Sequence, residues 1–201
     1  MKRHLVSGIV LALALWPGAA AAEGGLGVFG AIGFAGSANS KNFSDETMDG
    51  VIGMSLWGDY AVIENLYVGG RFGFVSGNGT ETNGLFNTFA FQATGRYVYP
   101  VGPIDINGFL GVGLGLTSIS FNFEGGGKAG GSNAGFSTTI GAGAGYRATE
   151  ELTVLALLTY DMLTAGDVTL EGTDGIAGSV DSEGVLVQRI LFQVGVTFDL
   201  W

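Results

Sequence analysis

Beyond residue 22 the hydrophobic positions recur with a period of two. Eight segments set a row of bulky apolar side chains against a row of Gly, Ala, Ser and Thr with a few charged or amide groups, the pattern of strands with two unlike faces. The first, 26–35, carries Val28, Ile32 and Phe34 in its bulky row. In the second, 52–61, Ile52, Met54, Leu56 and Tyr60 alternate with Gly53, Ser55, Trp57 and Asp59. The third, 66–75, opposes Val68, Phe72 and Phe74 to Gly69, Arg71 and Gly73, and the fourth, 86–99, opposes Phe89, Phe91, Ala93, Tyr97 and Tyr99 to Thr88, Gln92, Thr94 and Arg96. The fifth, 106–118, and the sixth, 136–147, repeat one design: Leu110, Val112 and Leu114 face away from Gly111, Gly113 and Gly115, and Ile140, Ala142 and Ala144 from Gly141, Gly143, Gly145 and Arg147. The seventh, 152–161, is mixed, because Leu155 and Leu157 share a row with Thr153, Thr159 and Asp161. The eighth is the cleanest, with Ile190, Phe192, Val194, Val196, Phe198 and Leu200 opposed by Arg189, Gln193, Gly195, Thr197 and Asp199.

The connections alternate in length. Those at 62–65, 100–105 and 148–151 are short; those at 36–51, 76–85, 119–135 and 162–185 are long. Antiparallel strands of about ten residues, with short turns at one end and long loops at the other, match the ~9–11 residues that a tilted strand needs to cross a bilayer. The pattern predicts an all-β fold: an eight-stranded antiparallel up-and-down transmembrane β-barrel. No later stretch holds eighteen uninterrupted apolar residues, so transmembrane helices are not expected.

The first 22 residues read differently. Lys2, Arg3 and His4 form a basic start, 5–16 is mostly apolar, and Ala20, Ala21 and Ala22 offer a small-residue cleavage site, so a cleaved secretory signal (1–22) before a single barrel domain (23–201) is expected. The twelve apolar residues span only ~18 Å as a helix, too short for the ~30 Å hydrocarbon core. Removal of Lys2 and Arg3 leaves six basic against eighteen acidic residues, a net charge of −12, which disfavours nucleic acid as a partner. There is no Cys, and the single His lies in the leader. Thiol and imidazole catalysis, the usual zinc sets, and haem or iron–sulfur ligation by those residues are thereby excluded; no cofactor is expected. A Ser or Asp without a base partner is not a credible nucleophile, so no enzyme is expected. The acidic residues Asp45, Glu46, Asp49, Asp167, Glu171, Asp174, Asp181 and Glu183 do not follow the calcium-loop spacing and read as solvated charge.

Alternation alone also fits a soluble barrel whose apolar row lines a ligand cavity. The second row decides between them, because a water-facing row should be rich in Lys and Glu and this one is mostly Gly, Ala, Ser and Thr. Arg71, Arg96, Arg147 and Arg189 all lie in it, and an Arg facing lipid at mid-bilayer costs ~2–4 kcal/mol. The apolar row therefore faces lipid. Asp59, Asp161, Gln92 and Gln193 share the inner row with the four arginines, which predicts a hydrogen-bonded lumen network of those eight residues. Tyr60, Tyr97, Tyr99, Tyr146 and Trp201 fall at the short-turn ends as a candidate interfacial girdle, with Phe34, Phe74, Phe89 and Phe136 at the other end. The facing glycines 111, 113, 115 and 141, 143, 145 either leave a narrow cavity or make room for Trp57, Phe29 and Tyr67.

In layout the chain resembles the small eight-stranded outer-membrane barrels of Gram-negative bacteria: the OmpA membrane domain, OmpX, OmpW and the opacity-type proteins. The most specific stretch is the end, where Phe192, Val194, Val196, Phe198, Leu200 and Trp201 look like the C-terminal strand signal read by the barrel-assembly machinery; Leu200 is in phase with the outward row and Trp201 is one residue beyond. The resemblance implies residence in the outer membrane among its lipids, as a monomer with a structural or surface-interaction role and four long acidic loops outside the cell. Second is a narrow channel for small or hydrophobic solutes, in the OmpW manner. A soluble ligand-binding barrel is third.

Overall fold

The computed structural model describes residues 24–40, 43–80, 84–122, 128–173, 179–182 and 184–200. The expected leader and Trp201 lie outside them. The strands are β1 (Gly24–Ser40), β2 (Phe43–Ile63), β3 (Leu66–Gly79), β4 (Gly84–Val101), β5 (Ile104–Asn122), β6 (Lys128–Arg147), β7 (Leu152–Ala165), β8 (Val168–Thr173), β9 (Ser179–Ser182) and β10 (Val185–Asp199). Hydrogen-bonded order runs β5-β4-β3-β2-β1-β10-β7-β6, and β6 pairs back onto β5, so eight antiparallel strands close into a barrel with no free edge. The expected loop at 162–185 holds a further hairpin, β8–β9, which pairs with the upper end of β6 through Ala129↔Gly172.

The eight expected strands are all present, but the other three long connections are largely strand, not loop. Two causes hid this in the sequence. In β1 and β2 a bulge shifts the alternation by one residue. One lies between Gly33 and Ala35, the other between Asp49 and Ile52 around Gly50, whose φ of 60° suits a residue without Cβ. In β3, β4 and β5 the alternation continues but its polarity inverts. Ser76, Asn87, Ser118 and Ser132 are register neighbours on four successive strands and form a polar row around the outside of that wall. Beneath it the outward row is apolar; above it Phe86, Ile119 and Phe121 point inward. The physical reason is a change of solvent. Strands within the bilayer turn their apolar row to acyl chains, and the same strands above it meet water and bury that row instead. The hairpins thus carry a core of their own, in which Met48, Val51, Val185, Val187 and Leu191 join the residues just named.

Below the polar row the outer surface is apolar: Leu114 is 69% exposed, Ile32 60% and Ile140 57%. Tyr60, Tyr97, Tyr99 and Tyr146 are exposed around the short-turn end, while farther up the wall Phe72 packs at a tilt against Phe91 (4.9 Å) and Phe74 against Phe89 (4.8 Å). Phe192, Val194, Phe198 and Leu200 are exposed on the outward row and Val196 is half-exposed there. Leu110 sits midway along the outward row of β5, so Leu110→Arg is expected to cost about 2–4 kcal/mol in lipid, whereas Ser118→Arg, at the polar row, costs about 0–1. Urea unfolding midpoints in liposomes check the difference.

Candidate functional site

The interior is filled in layers. Uppermost is the hairpin core. Beneath it, Arg71 of β3 crosses the lumen, where Nη1 donates to Gln92 Oε1 (3.1 Å) and Thr139 Oγ1 (3.0 Å) and Nη2 to Gln193 Oε1 (3.5 Å). Gln92 Nε2 donates in turn to Ser137 Oγ and Thr139 Oγ1, both at 2.9 Å. Gln193 Nε2 donates to Thr159 Oγ1 (2.8 Å), and Ser55 Oγ donates to Gln193 Oε1 (3.2 Å). Six strands are cross-tied by these bonds. Arg189 reaches from β10 to Thr88 on β4 through Nη2, and Asp161 stands 3.8 Å from Arg71 Nη1.

The next layer down is aromatic and aliphatic. Phe29, Trp57 and Phe109 stack with centroids 4.6 and 4.5 Å apart, and Leu155 and Leu157 complete the cluster, which accounts for leucine in the inner row of β7. Arg71 lies 5.7 Å above the Phe109 ring, and Trp57 Nε1 donates to Ser55 Oγ (3.3 Å), so this stack is tied to the polar layer. Under it Arg96 grips Asp59 with Nε (2.8 Å) and Nη2 (3.2 Å), donates from Nη1 to Asn107 Oδ1 (3.1 Å), and lies over the Tyr67 ring at 4.6 Å.

Of the eight residues expected in the lumen network, Arg71, Gln92, Gln193, Asp161 and Arg189 come together in the upper polar layer, and Arg96 and Asp59 form a separate pair below. Arg147 stands apart at the short-turn rim, where it donates from Nε to Asp105 Oδ2 (2.8 Å) and from Nη2 to Oδ1 (2.5 Å) with 43% of its side chain exposed. The reading by rows missed Asp105, which it placed in a turn, and did not single out Thr88, Ser137, Thr139 or Thr159 as members of the network. The available signal was their position in the same row as the arginines.

The facing glycines do not line an opening. A Cβ on Gly113 would stand 2.0 Å from the Phe91 carbonyl oxygen and one on Gly143 1.9 Å from that of Ala156, while Cβ atoms on Gly111, Gly115, Gly141 and Gly145 would strike Gln92, Leu163, Thr159 and Thr153. These glycines let neighbouring strands close up and give room to side chains from other walls. One cavity of about 20 Å³ lies in the upper polar layer, between Arg71, Arg189 and Asp161.

A closed antiparallel barrel with a lipid-facing apolar belt and a packed, charge-paired interior defines an integral β-barrel membrane protein. Residues 7–198 match the outer membrane protein beta-barrel domain, and the chain belongs to that family. It is an outer-membrane protein, which removes the soluble-barrel reading. No curated protein sequence matches it. Among solved structures it is similar in fold to a major outer membrane protein from Thermus thermophilus (TM-score 0.59, 14% identity, 88% of this chain and 99% of that one). It is likewise similar to neisserial surface protein A (TM-score 0.52, 14% identity, 88% and 97%). A third is the attachment invasion locus protein Ail of Yersinia pestis in complex with the heparin analogue sucrose octasulfate (TM-score 0.52, 16% identity, 89% and 99%).

Proposed function

We propose that this protein is a sealed, monomeric barrel with a structural or surface-interaction role, inserted by the barrel-assembly machinery and presenting its tall hairpins outside the cell. The observation that carries the reading is the filled lumen. Solute would have to pass the hairpin core, the Arg71–Gln92–Gln193 layer and the Phe29–Trp57–Phe109 stack, each packed from opposite walls. Eight-stranded barrels have interiors that side chains fill, and this one is filled. The arginine-bound carboxylates Asp59 and Asp105 serve the wall as ion pairs, in keeping with a structural role.

Planar-bilayer recording tests the proposal. The native protein is expected to give no steady unitary steps, and Trp57→Ala/Phe109→Ala, which empties the aromatic layer, is expected to stay silent while the polar layer and hairpin core persist. Steady steps from the native protein would replace the sealed barrel with the narrow channel. Protease treatment of intact cells should clip the hairpin end and leave the short turns untouched; cleavage at the short turns alone would reverse the orientation.

A further inference from the structure

Two of the lumen arginines have carboxylates to spare: Arg96 meets Asp59 and Arg147 meets Asp105, and Asp199 stands close by as a third carboxylate at that end. The cavity of about 20 Å³ is lined by two guanidiniums, Arg71 and Arg189, and a single carboxylate, Asp161. Arginine does not deprotonate in proteins, so the lining carries one uncompensated positive charge in a low-dielectric interior. Glu46, the buried carboxylate of the hairpins above, lies against Gly79 and does not line the cavity.

The hydrogen-bonding groups show the same imbalance. Arg71 and Arg189 are 5% and 4% exposed, yet Arg71 Nε and Arg189 Nη1 make no hydrogen bond among the described residues. Arg71 Nε lies 3.9 Å from where a Cβ on Gly73 would stand, and Gly73 is part of the cavity wall. Ser137 Oγ already accepts from Gln92 and Thr88 Oγ1 from Arg189, which leaves both hydroxyl hydrogens to donate into the cavity they line. Four donors thus face a single carboxylate, that of Asp161, whose Oδ1 stands 3.8 Å from Arg71 Nη1 and accepts no hydrogen bond among the described residues. A water can accept about two hydrogen bonds; an anion can accept all four and cancel the charge. The volume of about 20 Å³ exceeds the roughly 10–15 Å³ that one water needs and suits a single small ion.

We propose that the lumen cavity between Arg71 and Arg189 binds one small monovalent inorganic anion of halide size. It completes the polar layer as a structural ion and stabilises the folded barrel. Bromide is the probe, with gluconate, too large for the cavity, as the matched salt at constant ionic strength. Protein folded in bromide is expected to show an anomalous scattering peak between the two guanidiniums, and its thermal midpoint is expected to rise with the logarithm of bromide concentration. Arg189→Gln makes the lining neutral and should abolish that dependence. Asp161→Asn raises the excess to two and should tighten apparent bromide binding by about tenfold or more. A cavity that simply holds water predicts neither change. Equal midpoints in bromide and gluconate, with no anomalous peak in the native protein, would overturn the proposal even if Arg189→Gln failed to fold; so would a bromide dependence unchanged in that variant.

Discussion

Gly143→Val is expected to leave the chain unable to reach the folded form that migrates faster on a denaturing gel before boiling than after it, while Gly108→Ala folds as the native protein does. Both glycines lie within strands of the barrel wall, and the difference is where a side chain would go. At Gly143 a Cβ would meet the Ala156 carbonyl oxygen at 1.9 Å and the Leu157 Cα at 2.8 Å. Those atoms belong to the backbone of β7, so relief requires two hydrogen-bonded strands to separate from their ~4.8 Å spacing. The cost lies above the roughly 1–3 kcal/mol of ordinary overpacking, where side chains yield first. At Gly108 nothing stands within 4 Å, because that position faces outward. Gel mobility with and without boiling distinguishes the two; a heat-modifiable Gly143→Val would mean that the close approach of β6 and β7 is dispensable.

Arg96→Met is expected to destabilise the barrel by about 3–5 kcal/mol, because it leaves the Asp59 carboxylate buried without its partner. The Arg96 and Asp59 side chains are 11% and 8% exposed, and the pair is bidentate. Adding Asp59→Leu should recover a good part of the loss, since an apolar pair avoids the desolvation that the lone charge suffers. The equivalent change at the rim, Arg147→Met, should cost no more than about 1 kcal/mol, because water screens a pair whose arginine is 43% exposed. Denaturant unfolding followed by the fluorescence of Trp57, stacked in the adjoining layer, measures all three variants. Equal losses at Arg96 and Arg147 would show that burial does not set the value of these pairs.

These two results rest on different kinds of information in the chain. Alternation assigned Arg71, Arg96 and Arg189 to the inner row and Leu110, Ile140 and Phe192 to the outer one, because side-chain direction in a strand repeats every two residues whatever the partner strand. It also counted the barrel strands, since each transmembrane segment had to turn an unbroken apolar row to lipid. It misjudged where those strands end. Above the bilayer the favoured side of an apolar residue reverses, so Ile119 and Phe121 continue the period of β5 with opposite meaning, and the bulges near Phe34 and Gly50 move β1 and β2 out of phase.

The linear order of residues was enough to determine which side chains meet acyl chains and which are enclosed, because that choice is local to each strand and worth several kcal/mol per misplaced charge. Which enclosed groups meet was decided only by the closed barrel. Strand register and closure bring Arg71 to Gln92, Thr139 and Gln193, part Arg147 from the other arginines, and set two guanidiniums against one carboxylate around a cavity. Those meetings join residues up to 122 positions apart in sequence, and no local preference encodes them.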